Sequence, residues 1–229
     1  MFWHEGPLAV LDLEATGVDT RDARIIEVGL FLFEADGSSK TLVDRLIDPG
    51  VALPTEVSDL TGIRPEDLAT SGGDPSAILV ETRAAIAVLV DEGTPIVIYN
   101  APYDWSLLTA ELARYHVGDL PTVPPAILVD PLVLDRHVDR YRKGSRTLES
   151  VAAHYGVVIA GAHRAAADAA ATVAVAREIP ARYPEVRMSG ADIVALQIES
   201  HGAWKKSFNE YLARVGASRL PITEKWPTG

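Results

Sequence analysis

LAVLDLEATGVDTRDARIIEVGLFLF, residues 8–33, is the stretch that decides the fold. Residues 8–13 form a short apolar run introduced by Gly6-Pro7 and predict a strand. The polar segment GVDTRDAR separates it from IIEVGLFLF, residues 25–33, whose β-branched and aromatic residues predict a second strand. Ala35-Asp36-Gly37-Ser38 then reads as a turn, and a third strand near 40–47 completes an antiparallel meander. Within the first strand, Asp12 and Glu14 stand two residues apart, so both side chains leave the same face while Leu11 and Leu13 point into the core. Two carboxylates at the end of a buried strand repel each other, and a hard divalent cation is the simplest way to satisfy them. The alternative is a half-exposed strand end with incidental acids.

Further along, the chain changes rhythm. Residues 50–77 are rich in Pro, Gly and Asp and predict loops around one short helix. Apolar residues at helical spacing predict a helix over about 76–91, closed by Asp91-Glu92-Gly93. PIVIYN (95–100) and AILVD (126–130) are strand candidates, and a helix follows the first of them from Asn100 through Tyr115. Helices are expected over 131–139, 147–155 and 164–179. A meander followed by strands alternating with helices implies an α/β fold, a mixed central sheet flanked by helices. No GxGxxG follows the first strand, which excludes a doubly wound dinucleotide fold, and no G-x-S-x-G elbow supports an α/β hydrolase. Beyond Pro180 the character shifts, and we expect one domain over 1–180 with a helical tail over 181–229. In that tail Trp204, Phe208, Leu212 and Val215 recur at one helical face ending near Gly216, either packing on the domain or docking a partner.

Composition narrows the classes. The 229 residues contain no cysteine, excluding disulfides, a thiol nucleophile and a thiolate zinc site. No signal peptide is visible and no run is apolar enough to span a membrane, so the cytoplasm is the expected compartment and no membrane partner is expected. Twenty-one Lys and Arg stand against 32 Asp and Glu, a net charge of −11. That argues against a protein that coats nucleic acid non-specifically, but not against an enzyme that grips a strand end with help from metal ions.

Two more acids join the first pair. Asp104, in YNAPYDW, falls in the first turn of the helix after a buried strand, where it either serves the helix dipole or points into a site. Tyr103 and Trp105 flank it as packing aromatics or as a face on which a base stacks. Asp168 and His163 come from GAHRAAADAAATVAVA; with Gly161-Ala162-His163 as the entering loop and Asp168 in the second turn, both reach one site. Small alanines there permit close approach to the sheet, and Asp168 pairs either with a metal or with Arg164. Positive charge concentrates at 136–146, where Arg140, Arg142 and Lys143 form either a solvated helix end or a phosphate grip.

VLDLEATG, YNAPYDWSLL and AHRAAADAAAT together, in this order, resemble the three exonuclease motifs of the DnaQ-like superfamily, and His163 resembles the histidine of its DEDDh branch. The resemblance covers roughly residues 7–178; Tyr99 stands where histidine is frequent and Tyr103 where Phe is usual. DPLVLDR, YRKG and the helix opening at Leu148 are similar to polymerase III epsilon-like exonucleases of high-GC Gram-positive bacteria. The resemblance implies a ribonuclease H-like fold and a metal-dependent 3′-to-5′ exonuclease acting on single strands, DNA favoured, with an exoribonuclease and a catalytically silent nucleotide-binding module as alternatives. It implies two divalent cations, Mg²⁺ or Mn²⁺, on Asp12, Glu14, Asp104 and Asp168, with His163 as general base. It places Thr16 and Gly17 by the terminal nucleotide and its 3′-hydroxyl, with Leu13, Asn100 and Tyr103 as further substrate-binding residues. The implied partners are 3′ ends of single-stranded DNA or RNA, a DNA polymerase or repair protein, and a second copy of the chain.

Overall fold

The computed structural model describes residues 1–229 apart from 160–164, 217, 219, 220, 224 and 229. The meander forms as expected: β1 (Leu8–Ala15), β2 (Ile25–Phe33) and β3 (Ser39–Leu46) pair antiparallel, with Gly37 at positive φ in the turn between β2 and β3. Two short strands, β4 (Ile96–Val97) and β5 (Leu128–Val129), extend the sheet parallel to β1 in the order β3-β2-β1-β4-β5. This is a mixed sheet with helices on both faces.

The alternation along β1 sorts its residues between two cores. Ala9, Leu11, Leu13 and Ala15 pack with α3 (Pro75–Asp91) and α4 (Ala101–Arg114) through Leu79, Ile86, Leu107 and Leu108. Leu8 and Val10 face α6 (Leu148–Tyr155) and α7 (Ala165–Arg182) through Val151, Tyr155, Val173 and Ile179. Asp12 and Glu14 continue this second face, so the period of two carries the chain from core to carboxylates within one strand.

Several boundaries differ from expectation. Residues 50–77 hold two short helices, α1 (Thr55–Thr61) and α2 (Pro65–Ser71), where one was expected; Pro opens α2, and Gly62 and Gly72 close the two. Their small core of Ile26, Ile63 and Leu68 supplies the burial that composition hides. The strand at 95–100 is paired only at Ile96–Val97, because the chain leaves the sheet and turns at Asn100, which adopts a left-handed φ of 64°, to start α4. Likewise only Leu128–Val129 pairs in 126–130, and Asp130 caps α5 (Pro131–Val138). Helix α7 runs on to Arg182 with Pro180 in its last turn, and Arg187 Nε donates to the Pro180 carbonyl.

The final helix is longer than the three or more turns its stripe suggested. It is α8 (Gly190–Val215), 26 residues, capped by Ser189 and stopped by Gly216 at φ 62°. Its first half buries Ile193, Val194, Gln197 and His201. Of the expected stripe only Leu212 is buried, Trp204 and Phe208 are half-buried and Val215 is exposed. The segment after α8 doubles back: Asn209 bonds the backbone of Ile222 through both side-chain atoms, and Trp226 is buried in the core. Among the described residues no helix is long and apolar enough to cross a membrane.

Candidate active site

At the end of β1 the second face turns polar, and α7 approaches it. The two elements meet because Gly29, the pairing partner of Asp12 on β2, has no side chain: a Cβ there would lie 2.8 Å from the Ala165 Cβ and 2.8 Å from the Phe31 ring. Asp168, in the first turn of α7 as described and not the second, thereby joins Asp12 and Glu14; one carboxylate oxygen of each lies within 4.8 Å of the others. A further acid went unread in the sequence. Glu27, only 8% exposed, stands on β2 directly opposite Glu14. Its place inside the apolar run IIEVGLFLF was the signal.

Burial and mutual repulsion dominate the electrostatics. Burial, then Asp168 and Glu27, push the Asp12 carboxyl up to about 7. Burial, then Asp12, Glu27 and Asp168, push Glu14 up to about 8. Asp104, buried in the first turn of α4, is raised by burial and by Asp12, while the Leu13 N–H, which donates to its Oδ1 at 3.1 Å, works the other way. The structure thus gathers Asp12, Glu14 and Asp168 into one cluster, with Asp104 alongside and tied to the strand. His163 and Arg164 lie outside the described residues.

Three converging carboxylate oxygens whose negative charge is held at a desolvation cost fit a hard divalent cation. The sign of the pH dependence follows. In the metal-free chain both carboxyls hold protons more tightly folded than unfolded, so their contribution to stability is full below the ordinary carboxylate range and is lost as pH rises through about 7 and about 8. A cation requires the deprotonated form and offsets the loss. Without cation the thermal midpoint is expected to be several degrees lower near pH 8 than near pH 5.5, ~1 kcal/mol being about 2–4 °C in a chain this size. Added Mg²⁺ or Mn²⁺ should raise the midpoint far more at the higher pH. Scanning calorimetry with chelator and with cation tests both; a metal-free midpoint that climbs with pH contradicts the assignment.

The loop after β1 is held firmly. The Thr16 hydroxyl accepts from the Arg24 N–H at 2.9 Å, and the Tyr103 hydroxyl donates to the Gly17 carbonyl at 2.5 Å. Arg114, ion-paired with Glu111, donates to the Arg21 carbonyl at 2.6 Å, and Glu111 accepts from the Ile25 N–H. Leu13 offers its backbone to Asp104 and buries its side chain. Asn100 is exposed at the mouth of a cleft of about 930 Å³, bounded also by Val18, Thr20, Tyr103, Arg136 and Trp204.

Asp130 is the second residue the sequence reading missed, although an acid before a proline after an apolar strand marks a helix cap. Its Oδ1 accepts from the N–H groups of Asn100 and Leu132, both at 3.0 Å, and its Oδ2 from that of Ala101 at 3.0 Å and from the Trp226 indole at 3.3 Å. Gln197 Oε1 accepts from the Asp130 N–H at 2.6 Å. Burial pushes this carboxyl to about 6 against those bonds. Asp130 fixes the turn that delivers Tyr103 and Asp104. The expected phosphate grip divides: Arg140 and Lys143 are exposed, whereas Arg142 donates to the buried Asp135 at 2.6 Å, beside Arg146 on the same carboxylate.

A family model described as Exonuclease matches residues 9–176, well over half of the chain. The chain belongs to the exonuclease family. The DNA polymerase III subunit epsilon of Treponema pallidum (strain Nichols) is 30% identical to this exonuclease-family chain over 165 residues, 69% of each protein. A PolC-type DNA polymerase III of Caldanaerobacter subterraneus subsp. tengcongensis is 27% identical over 174 residues, 75% of this chain but 11% of that polymerase. Escherichia coli exonuclease I, solved in complex with a dA16 oligonucleotide, superimposes with a TM-score of 0.63 at 20% identity, covering 79% of this chain and 42% of that one. The chain therefore spans about a tenth of the PolC-type relative and less than half of exonuclease I. The fold is ribonuclease H-like, as the DnaQ-like motifs implied.

Proposed function

We propose that this chain is a 3′-to-5′ exonuclease that releases nucleoside 5′-monophosphates from single strands, DNA in preference to RNA. The observation that carries the reading is the meeting of Asp12, Glu14 and Asp168 at the end of β1, inside the segment matched by the exonuclease family. The epsilon-subunit relative and the oligonucleotide-bound neighbour support a DNA strand as substrate.

Asp12, Glu14 and Asp168 would hold the cations, two of Mg²⁺ or Mn²⁺ in this reading, with Asp104 beside them. When bound, the cations supply positive charge to the scissile phosphate and acidify water. The chain contributes the rest. Its acids fix where the phosphate sits, and the loop closed by Thr16 and Tyr103 walls the terminal sugar. Asn100 stands at the mouth of the neighbouring cleft, and the Leu13 backbone reaches this end of β1 through its bond to Asp104. His163 takes the proton of the attacking water, a task suited to an imidazole near neutrality. The cations also reconcile a net charge of −11 with a polyanionic substrate.

A 5′-labelled single strand incubated with Mg²⁺ or Mn²⁺ is expected to shorten from its 3′ end with release of 5′-mononucleotides, and to stay intact in excess chelator. His163→Ala is expected to lower the rate by about 10²–10⁴-fold while leaving cation affinity unchanged. Release from the 5′ end, or activity in chelator, overturns the reading. Faster shortening of the matched RNA strand transfers it to an exoribonuclease, and no cleavage of either leaves a binding module. Co-purification with a polymerase, which the epsilon-subunit relative suggests, or with a repair protein, and the oligomeric state in solution, test the remaining partners.

A further inference from the structure

Helix α8 lies beyond the segment matched by the exonuclease family, yet its His201 and Trp204 line the cleft that Asn100 and Tyr103 border beside Asp104. Trp204, Phe208 and Tyr211 are four and three residues apart, hence on one side of the helix. Their rings form a ladder: Trp204 and Phe208 are 5.6 Å apart and 15° from parallel, Phe208 and Tyr211 6.5 Å apart and 29° from parallel. The ladder forms a wall of a second cleft of about 880 Å³, which shares Arg136 and Trp204 with the cleft beside Tyr103. The two clefts thus adjoin at Arg136 and Trp204.

Arg136 marks the junction. Its guanidinium carbon sits 3.8 Å above the Trp204 ring, and it makes no ion pair or hydrogen bond to a described residue. Arg142 and Arg146, by contrast, are engaged by Asp135. This half-buried guanidinium lines both clefts, and although the charges of Asp130 and Asp135 act on it, its donors remain to offer to an anion. Farther along, Arg140 lies over Tyr141 at 5.6 Å and Arg214 over Tyr211 at 5.7 Å, both lining the second cleft. Glu199 and Glu210 also line it, so repulsion confines a phosphate to positions within reach of the arginines. Flat rings in series beside spaced guanidinium groups are complementary to one chemistry, a single strand of nucleic acid, with bases on the rings and phosphates on the arginines.

We infer that the α8 ladder with Arg136, Arg140 and Arg214 is a landing for the single strand behind the reacting 3′ end. The inference rests on the exonuclease reading for the direction in which the strand runs, not for the binding itself. It gives the C-terminal helix a role: the acids hold the terminal phosphate, and α8 holds the nucleotides that follow.

The test separates binding from cleavage. Binding of 5′-labelled single-stranded oligothymidylate, and in parallel of oligouridylate, is measured by fluorescence anisotropy on the full chain in chelator. Hydrolysis of the p-nitrophenyl ester of thymidine 5′-monophosphate, which reaches only the acids, is measured with Mn²⁺. Tyr211→Ala and Phe208→Ala should each raise the oligonucleotide Kd about 5- to 150-fold, from about 1–3 kcal/mol per stacked base. Tyr211 is 48% exposed, so its loss should leave folding and ester hydrolysis within about twofold. Arg140→Ala and Arg214→Ala should each flatten the dependence of log K on log salt by about 0.7. Tight binding of either sugar with these losses supports the landing. Unchanged Kd values and slopes overturn it, as does a chain whose only response to Tyr211→Ala is the loss of self-association. A ladder-dependent Kd in a chain that hydrolyses neither ester nor strand leaves the landing standing and removes the exonuclease reading.

Discussion

Asp12→Asn is expected to lower turnover by about 10³-fold or more and, in the same protein, to raise the thermal midpoint of the metal-free chain near pH 8. Loss of one electrostatic group in an active site already costs about 10²–10³-fold, and Asp12 is the acid on which the others converge: its charge raises both Glu14 and Asp104, and Asp168 and Glu27 raise it in turn. The amide keeps the shape and removes a charge that burial had already pushed up to about 7. Near pH 8 the folded native chain carries that charge at a desolvation cost, and the variant does not. Activity and stability therefore move in opposite directions, as they do where a site is built against the preferences of the fold. Mononucleotide release and thermal scans on one preparation test both effects. Native turnover, or a midpoint lowered by the substitution, removes Asp12 from the centre of the site.

Gly29→Ala is expected to reduce turnover by about 10²-fold without altering any charge. The added methyl would sit 2.8 Å from the Ala165 Cβ, and the helix that retreats from it is the helix carrying Asp168. A misplacement of about 1 Å costs about that factor when groups must converge on one centre, and overpacking of this kind destabilises by about 1–3 kcal/mol. Removing the opposing methyl, Ala165→Gly in the same chain, should return part of the rate, because it relieves one of the two collisions, the other being with the Phe31 ring. A rate unaffected by Gly29→Ala, or lowered without any response to the second change, shows that α7 keeps its place by other means.

The acids of β1 were legible because a strand reports its faces with a period of two, and Leu8, Val10, Asp12 and Glu14 share one. Asp104 was legible in its position after a buried strand; its bond to the Leu13 N–H, 91 residues away in sequence, was not. Glu27 was hidden inside an apolar strand, since only the register with β1 sets it against Glu14. Asp130 was read as a strand end because its partners at Asn100, Gln197 and Trp226 belong to three distant segments. The basic run at 136–146 misled in part: sequence counts charges, whereas Asp135 takes Arg142 and Arg146 out of circulation. Helix α8 was longer than its stripe because its first half buries Gln197 and His201, polar residues that break an apolar pattern.

The bonds that converge on Asp130 bear on portability. The stretch shared with the family ends at 176, but two of the groups that hold this carboxylate and its N–H, Trp226 and Gln197, come from beyond it. A fragment cut at 180 would expose a desolvated acid at the joint between α4 and α5, and the turn presenting Tyr103 and Asp104 would lose its brace. The nuclease segment of this chain is thus no interchangeable cassette. A graft onto another scaffold has to bring α8 and the Trp226 strap with it, or redesign position 130 for life without them.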